Sequence, residues 1–147
     1  MQYEISPVPV SAYPEVTAVW EASVRATHDF LTEADIQFFK PLILNEFLKA
    51  VTLCCIKDET GRIVGFAGTA EQKLEMLFVD PAARGRGIGK ALLAHVIASQ
   101  EVTKVDVNEQ NTQAVGFYLH NGFKIISRSA LDGMGKPFPL LLMELEK

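Results

Sequence analysis

The sequence has few of the features that would tie it to a membrane, an oxidising compartment or nucleic acid. Only two of its 147 residues are cysteine, and these, Cys54 and Cys55, are adjacent. Neighbouring cysteines rarely bridge one another, so a disulfide framework is excluded and both read as small apolar strand residues in a reducing compartment. No apolar run is long enough to cross a bilayer, and the opening residues MQYEISPVPV lack the basic start and apolar stretch of a signal peptide. The expectation is a cytoplasmic protein without membrane association. Basic residues are not in excess: 14 Lys and Arg face 18 Asp and Glu, a formal charge of -4. Such a chain is poorly suited to general nucleic-acid binding, and any anion site must be a local basic spot. The three histidines, His28, His95 and His120, are scattered and show no zinc spacing with the cysteines, so no metal is expected. Repeats, low-complexity segments and linkers are absent, and 1–147 reads as one domain.

What is present is a regular alternation of elements. Gln2 to Ser6 reads as a short strand ended by Pro7 and Pro9. Pro14 suits a first helical position, with a helix over Glu15 to Ala26. Thr32 reads as the cap, with Asp35 three residues on, of a second helix from Glu33 to Ala50, kinked or split at Pro41. Leu53–Lys57 and Ile63–Thr69 form a hairpin through Asp58–Arg62, and Leu74–Val79 is the next strand. A helix over Gly87 to Ser99 carries Ile88, Leu92, Leu93, Val96 and Ile97 on one face. Val102–Val107 follows, then a helix capped by Asn111 and closed at Asn121-Gly122. Phe123–Ser129 and Leu140–Glu146 are the last strands, joined by a loop over 132–137. The order β-α-α-β-β-β-α-β-α-β-β predicts an α/β protein with a mixed sheet and helices on both sides.

One segment concentrates the chemistry: Arg84-Gly85-Arg86-Gly87-Ile88-Gly89-Lys90, between a strand and a helix. A glycine-rich loop gathers backbone N–H groups, and the helix behind it adds a positive dipole end, so the segment reads as a phosphate or pyrophosphate site. It is not a Walker loop, because Arg84 stands at the first Gly position and Ala91 where a Ser or Thr would hold magnesium. It is not a dinucleotide fingerprint, because Lys90 stands at the third Gly position. ATP and NAD sites are therefore not supported.

The run Arg84-x-x-Gly87-x-Gly89, preceded by Val79-Asp80-Pro81, resembles the coenzyme A loop of the GNAT N-acetyltransferase superfamily. Asn111-x-x-Ala114-x-x-Phe117-Tyr118 with Gly122-Phe123 is similar to that family's second motif. The segments Ala26–Leu31, Asn108–Asn111 and Gly135–Leu140 resemble a bacterial YjaB-like branch. The resemblance implies the GNAT fold, a central twisted mixed sheet of about seven strands flanked by helices. It implies acetyl-CoA as donor, with backbone contacts from Leu77, Phe78 and Val79, and a pyrophosphate grip by Arg84 through Lys90. The acceptor is a small-molecule or peptide amine, and the protein is a monomer or homodimer, with Pro137-Phe138-Pro139 a candidate dimer contact. A non-catalytic acyl-CoA sensor on the same fold is the rival reading.

Acyl transfer to an amine needs a neutral amine, a stabilised oxyanion and a protonated thiol. A phenol keeps its proton at pH 7, so Tyr118 is the candidate acid. It lies two helical turns after Asn111, which can bond the cofactor arm. Glu75, acidic within an apolar strand, is the candidate base, sharing a face with Leu77 and Val79, while Leu74, Met76 and Phe78 share the other. His28, between the first two helices, is the rival base or acceptor contact, with Phe30 beside it; water is a third option. Asp29, Glu33 and Asp35 either attract a cationic acceptor or simply favour a helix start.

Overall fold

A computed structural model describes residues 3–146. Its seven strands and four α-helices fall in two compact units, Met1–Val102 and Thr103–Lys147. In the first unit β1 (Ile5–Pro7), β2 (Thr52–Lys57), β3 (Ile63–Ala70) and β4 (Lys73–Val79) pair antiparallel in that order. In the second, β5 (Lys104–Asn108) and β6 (Phe123–Ser129) flank β7 (Leu140–Leu145), both antiparallel to it. No described helix is long and apolar enough to cross a membrane.

Helix α1 (Tyr13–Thr27) buries Val16, Val19, Trp20, Ser23 and Val24, a stripe at three- and four-residue spacing. That stripe packs in one core with Leu53, Cys55, Ile63, Phe66 and Met76 of the sheet. The other side of β3 receives α3 (Ile88–Gln100). A Cβ on Gly65 would lie 2.7 Å from Ile88 Cγ2, so only glycine lets this helix approach so closely. In the second unit Val105, Val107, Phe123 and Met143 are buried with Tyr118 of α4 (Thr112–His120).

Several sequence expectations shift. Gln2 lies outside the described residues, and β1 runs through Pro7 instead of stopping before it. As an outer strand it pairs on one side only, which a residue lacking N–H tolerates. Helix α2 (Glu33–Leu42) passes Pro41 without a break, then widens into a π turn at Ile43–Phe47 and a 3-10 turn at Leu48–Ala50. Proline cannot donate to the helix ladder, and the change of winding just after it absorbs that gap. Val102 does not open β5. Glu101 takes a left-handed φ of 55°, and Val102 N–H closes α3 by donating to Val96 O at 3.3 Å.

Candidate active site

The candidate anion loop is built from the sheet outward. Asp80, 6% exposed, directly follows β4 and accepts the N–H of Ala82 at 2.9 Å, fixing the turn Pro81–Ala83. Its other carboxylate oxygen is paired with Arg62, and its own N–H donates to Val64 O at 2.8 Å. Arg62 is held in turn at the β2–β3 hairpin, where its N–H donates to Asp58 Oδ1 at 3.1 Å. Beyond this turn Arg84, Gly85, Arg86 and Gly87 are exposed, and Lys90 is exposed on the first turn of α3. Gly85 and Gly87 both have φ 77°, and a Cβ on either would meet nothing within 4 Å. Glycine is required there by backbone conformation rather than by space. Gly87 caps α3 with no side-chain hydrogen bond. The first-turn amides of Ile88, Gly89 and Lys90 are thus the helix's N-terminal donors beside three cationic side chains. Sequence reasoning missed the Arg62–Asp80 support. Its only signal was an acidic residue before Pro81.

Beside β4 lies a pocket of about 400 Å³. Trp20 of α1 and Phe47 of the π turn line it, Ala50 and Val51 lie on the segment entering β2, and Met76 and Phe78 come from β4. Glu75 is its one charged lining residue. The register explains how Glu75 reaches it. Gly68 opposes Met76 but Thr69 opposes Leu74, so Glu75 is the extra residue of a β-bulge. The expected alternation therefore fails at this point. Leu74 leaves the face of Met76 and Phe78, and Glu75 joins their pocket instead of facing with Leu77 and Val79. Its side chain is 38% exposed and sits 3.8 Å from Lys73 Nζ, an ion pair too long for a hydrogen bond. The Phe78 ring lies 5.7 Å from Phe66 and 6.5 Å from His28, so this side chain belongs to the pocket wall, leaving its backbone as the candidate cofactor contact.

His28 ends α1. Its Nδ1 is 2.7 Å from Thr27 Oγ1, which donates to Ser23 O at 2.8 Å. That chain assigns the proton to Nδ1 and makes Nε2 the acceptor. Phe30 stacks tilted at 5.1 Å. Burial, aided by the positive charge of Arg84, pushes the imidazole down to about 4. His28 is therefore neutral at pH 7 and a weak base. The acidic residues nearby divide. Glu33 makes a two-bond pair with Arg25 at 2.7 and 2.9 Å, and Asp35 closes a capping box with Thr32. Asp35 thus serves the start of α2, while Glu33 ties α2 to α1.

In the second unit Asn111 caps α4, its Oδ1 accepting from Ala114 N–H at 3.2 Å. Tyr118 is 6% exposed, with its ring edge-on to Phe117 at 5.1 Å and to Phe123 at 5.6 Å. Burial pushes the phenol well above its ordinary value, so it is fully protonated at neutral pH. Among the described residues, no group of three or more His, Cys, Asp or Glu is placed to hold a metal ion.

Comparison with known proteins adds an independent line. A family model described as an acetyltransferase (GNAT) domain matches residues 26–139. The peptidyl-lysine N-acetyltransferase YjaB of Salmonella typhimurium is 42% identical over 127 residues, covering 86% of this chain and 87% of that one. The solution structure of apo-form YjaB from Escherichia coli superposes with a TM-score of 0.88 at 38% identity, covering 98% and 97% of the two chains. The PaiA N-acetyltransferase of Thermoplasma acidophilum, solved in complex with coenzyme A, shares the fold. Its TM-score is 0.75 at 21% identity, with coverage of 100% of both chains.

Proposed function

Because the chain belongs to the GNAT acetyltransferase family, in a YjaB-like branch, we propose that it carries acetyl from acetyl-CoA to the side-chain amine of a peptidyl lysine. Its α/β fold and its activity as an N-acetyltransferase come with that membership. The donor, the acceptor and the order of bond changes are the proposal. The observation that carries it is the start of α3, where a helix end with no side-chain cap, two left-handed glycines and three exposed cations meet in one loop. Phosphate oxygens suit such a cluster because its donors are fixed before they arrive.

In this reading Arg84 through Lys90 hold the donor's pyrophosphate, and Asn111 bonds its arm. Backbone amides of Leu77 and Val79 receive the carbonyl oxygen as it becomes an oxyanion. The neutral amine attacks the thioester carbon, forming C–N. Collapse of the tetrahedral intermediate breaks C–S, and the departing sulfur takes the phenolic proton of Tyr118. Glu75 takes the surplus amine proton, directly or through water, and returns it to solvent. The phenol is restored from solvent, so protons balance over the cycle. His28 stays neutral and contributes shape rather than a proton. The lysine acceptor is supported by the names of the YjaB relatives at 42% identity and by the single carboxylate in an otherwise apolar pocket.

The test is incubation of the chain with acetyl-CoA and a lysine-containing peptide blocked at its N-terminus, following thiol release and peptide mass. Stoichiometric thiol release with acetylation at the lysine Nε is the expected result. Acetylation confined to α-amines, or none on any amine, overturns the acceptor assignment.

A further inference from the structure

The pocket beside β4 has a chemistry of its own. Its walls are aromatic and aliphatic side chains from four separate segments, and its single charge is the carboxylate of Glu75. At about 400 Å³ it is far larger than a water site and falls in the range of small-molecule pockets. It is also not a gap left by poor packing. Val51 is pressed onto Gly68, where a Cβ would lie 2.8 Å from Val51 Cγ2, and Met76 is 8% exposed within the core cluster. The bulge spends a residue of strand pairing to bring Glu75 to this wall. An apolar room with one carboxylate at the strand suits a ligand apolar along its length and positive at one end.

We infer that this pocket is a binding site for the stem of an alkylammonium group, and that it sets acceptor specificity by stem length. The inference deepens the acyl-transfer reading and rests on it for its biological meaning, but binding can be tested without turnover. A lysine side chain has four methylenes between backbone and nitrogen, enough to reach Glu75 while its stem lies on Phe47, Val51 and Met76. A peptide α-amine has no such stem and leaves the walls exposed. Discrimination between the two amines then follows from area removed from water, at about 0.8 kcal/mol for each methylene, which is about fourfold in affinity.

The molecule carries its own reporter. Trp20 is the only tryptophan of the chain and lines the pocket. The experiment titrates the intact protein with butyl- through octylammonium chloride and follows Trp20 emission. The expected result is a dissociation constant falling about fourfold per added methylene until the pocket is full. Glu75→Gln should weaken every member by a similar factor and leave that slope intact, because it removes the charge and not the walls. Ala50→Phe, at an exposed position on the pocket's rim and leaving Trp20 the only tryptophan, should flatten the slope. A constant independent of chain length, or emission that does not respond to any member, overturns the site. Failure of acyl transfer reads out separately, as absent thiol release with the emission titration intact.

Discussion

Tyr118 illustrates how burial sets the protonation state of one side chain. Its ring is locked between Phe117 and Phe123, so removing the hydroxyl leaves the packing in place. Tyr118→Phe is expected to lower kcat by about 10²- to 10⁴-fold, the usual range for a lost general acid, with KM for acetyl-CoA nearly unchanged. Steady-state kinetics at saturating acceptor check this, and an unchanged kcat removes Tyr118 from the reaction. His28 gives a second expectation, of stability. Its folded value of about 4 lies below the ordinary 6.5, so between those pH values the unfolded chain binds more protons and stability falls as pH falls. Above pH 6.5 this contribution is flat. Thermal melts from pH 7.5 to 4.5 should therefore show a slope that His28→Gln reduces, and equal slopes in the two proteins refute it. Residue types that carry such chemistry could be picked from the sequence, but not their surroundings. Tyr118 and Glu75 were named on type and position. Only the structure gives the aromatic cage of the one and the bulge that turns the other.

Elements were legible where a local rule decides them. The Asp58–Arg62 turn, the Thr32–Asp35 cap and the left-handed Gly122 each follow from a side chain bonding its own backbone or from glycine's freedom. What was not legible depends on partners far along the chain. The bulge at Glu75 exists only relative to β3, and the π turn after Pro41 only where Ile43 and Leu48 must both reach the core. The Arg62–Asp80 pair joins residues 18 apart and supports the anion loop from below. Its removal makes a prediction at this scale. Asp80→Asn keeps a group able to accept from Ala82 N–H but loses the charge partner of Arg62. Asp80→Ala loses both. Coenzyme A affinity should therefore fall in the order wild type, Asn, Ala, with the larger step on losing the turn, since a lost N-cap acceptor costs about 0.5–2 kcal/mol and an ion pair to an exposed arginine about 0–1 kcal/mol. Isothermal titration of the three proteins checks the order. Equal affinities would show that the loop holds its shape without Asp80.

Across the whole molecule, charge sets how an anionic donor arrives and how it stays. The chain is negative overall, at -4, and its cationic loop is a local exception. A coenzyme A molecule that comes within a Debye length of the surface, about 10 Å at 0.1 M salt, is repelled by the chain's net charge and attracted near the loop. Salt screens both, so their effects on the association rate oppose each other. In the proposed complex the phosphates sit against Arg84, Arg86, Lys90 and the amides of α3, and there is no repulsive term of similar reach to cancel the loss when salt weakens those contacts. Raising sodium chloride from about 0.05 to 0.5 M should therefore speed dissociation several-fold while changing the association rate by less than a factor of about two. Stopped-flow binding of coenzyme A, repeated with Arg86→Gln, separates the two rates. The variant should dissociate faster and respond less to salt, having one cation fewer to screen. An association rate that falls steeply with salt would mean that the loop's field dominates the approach, and that the acidity of the rest of the chain has no bearing on it.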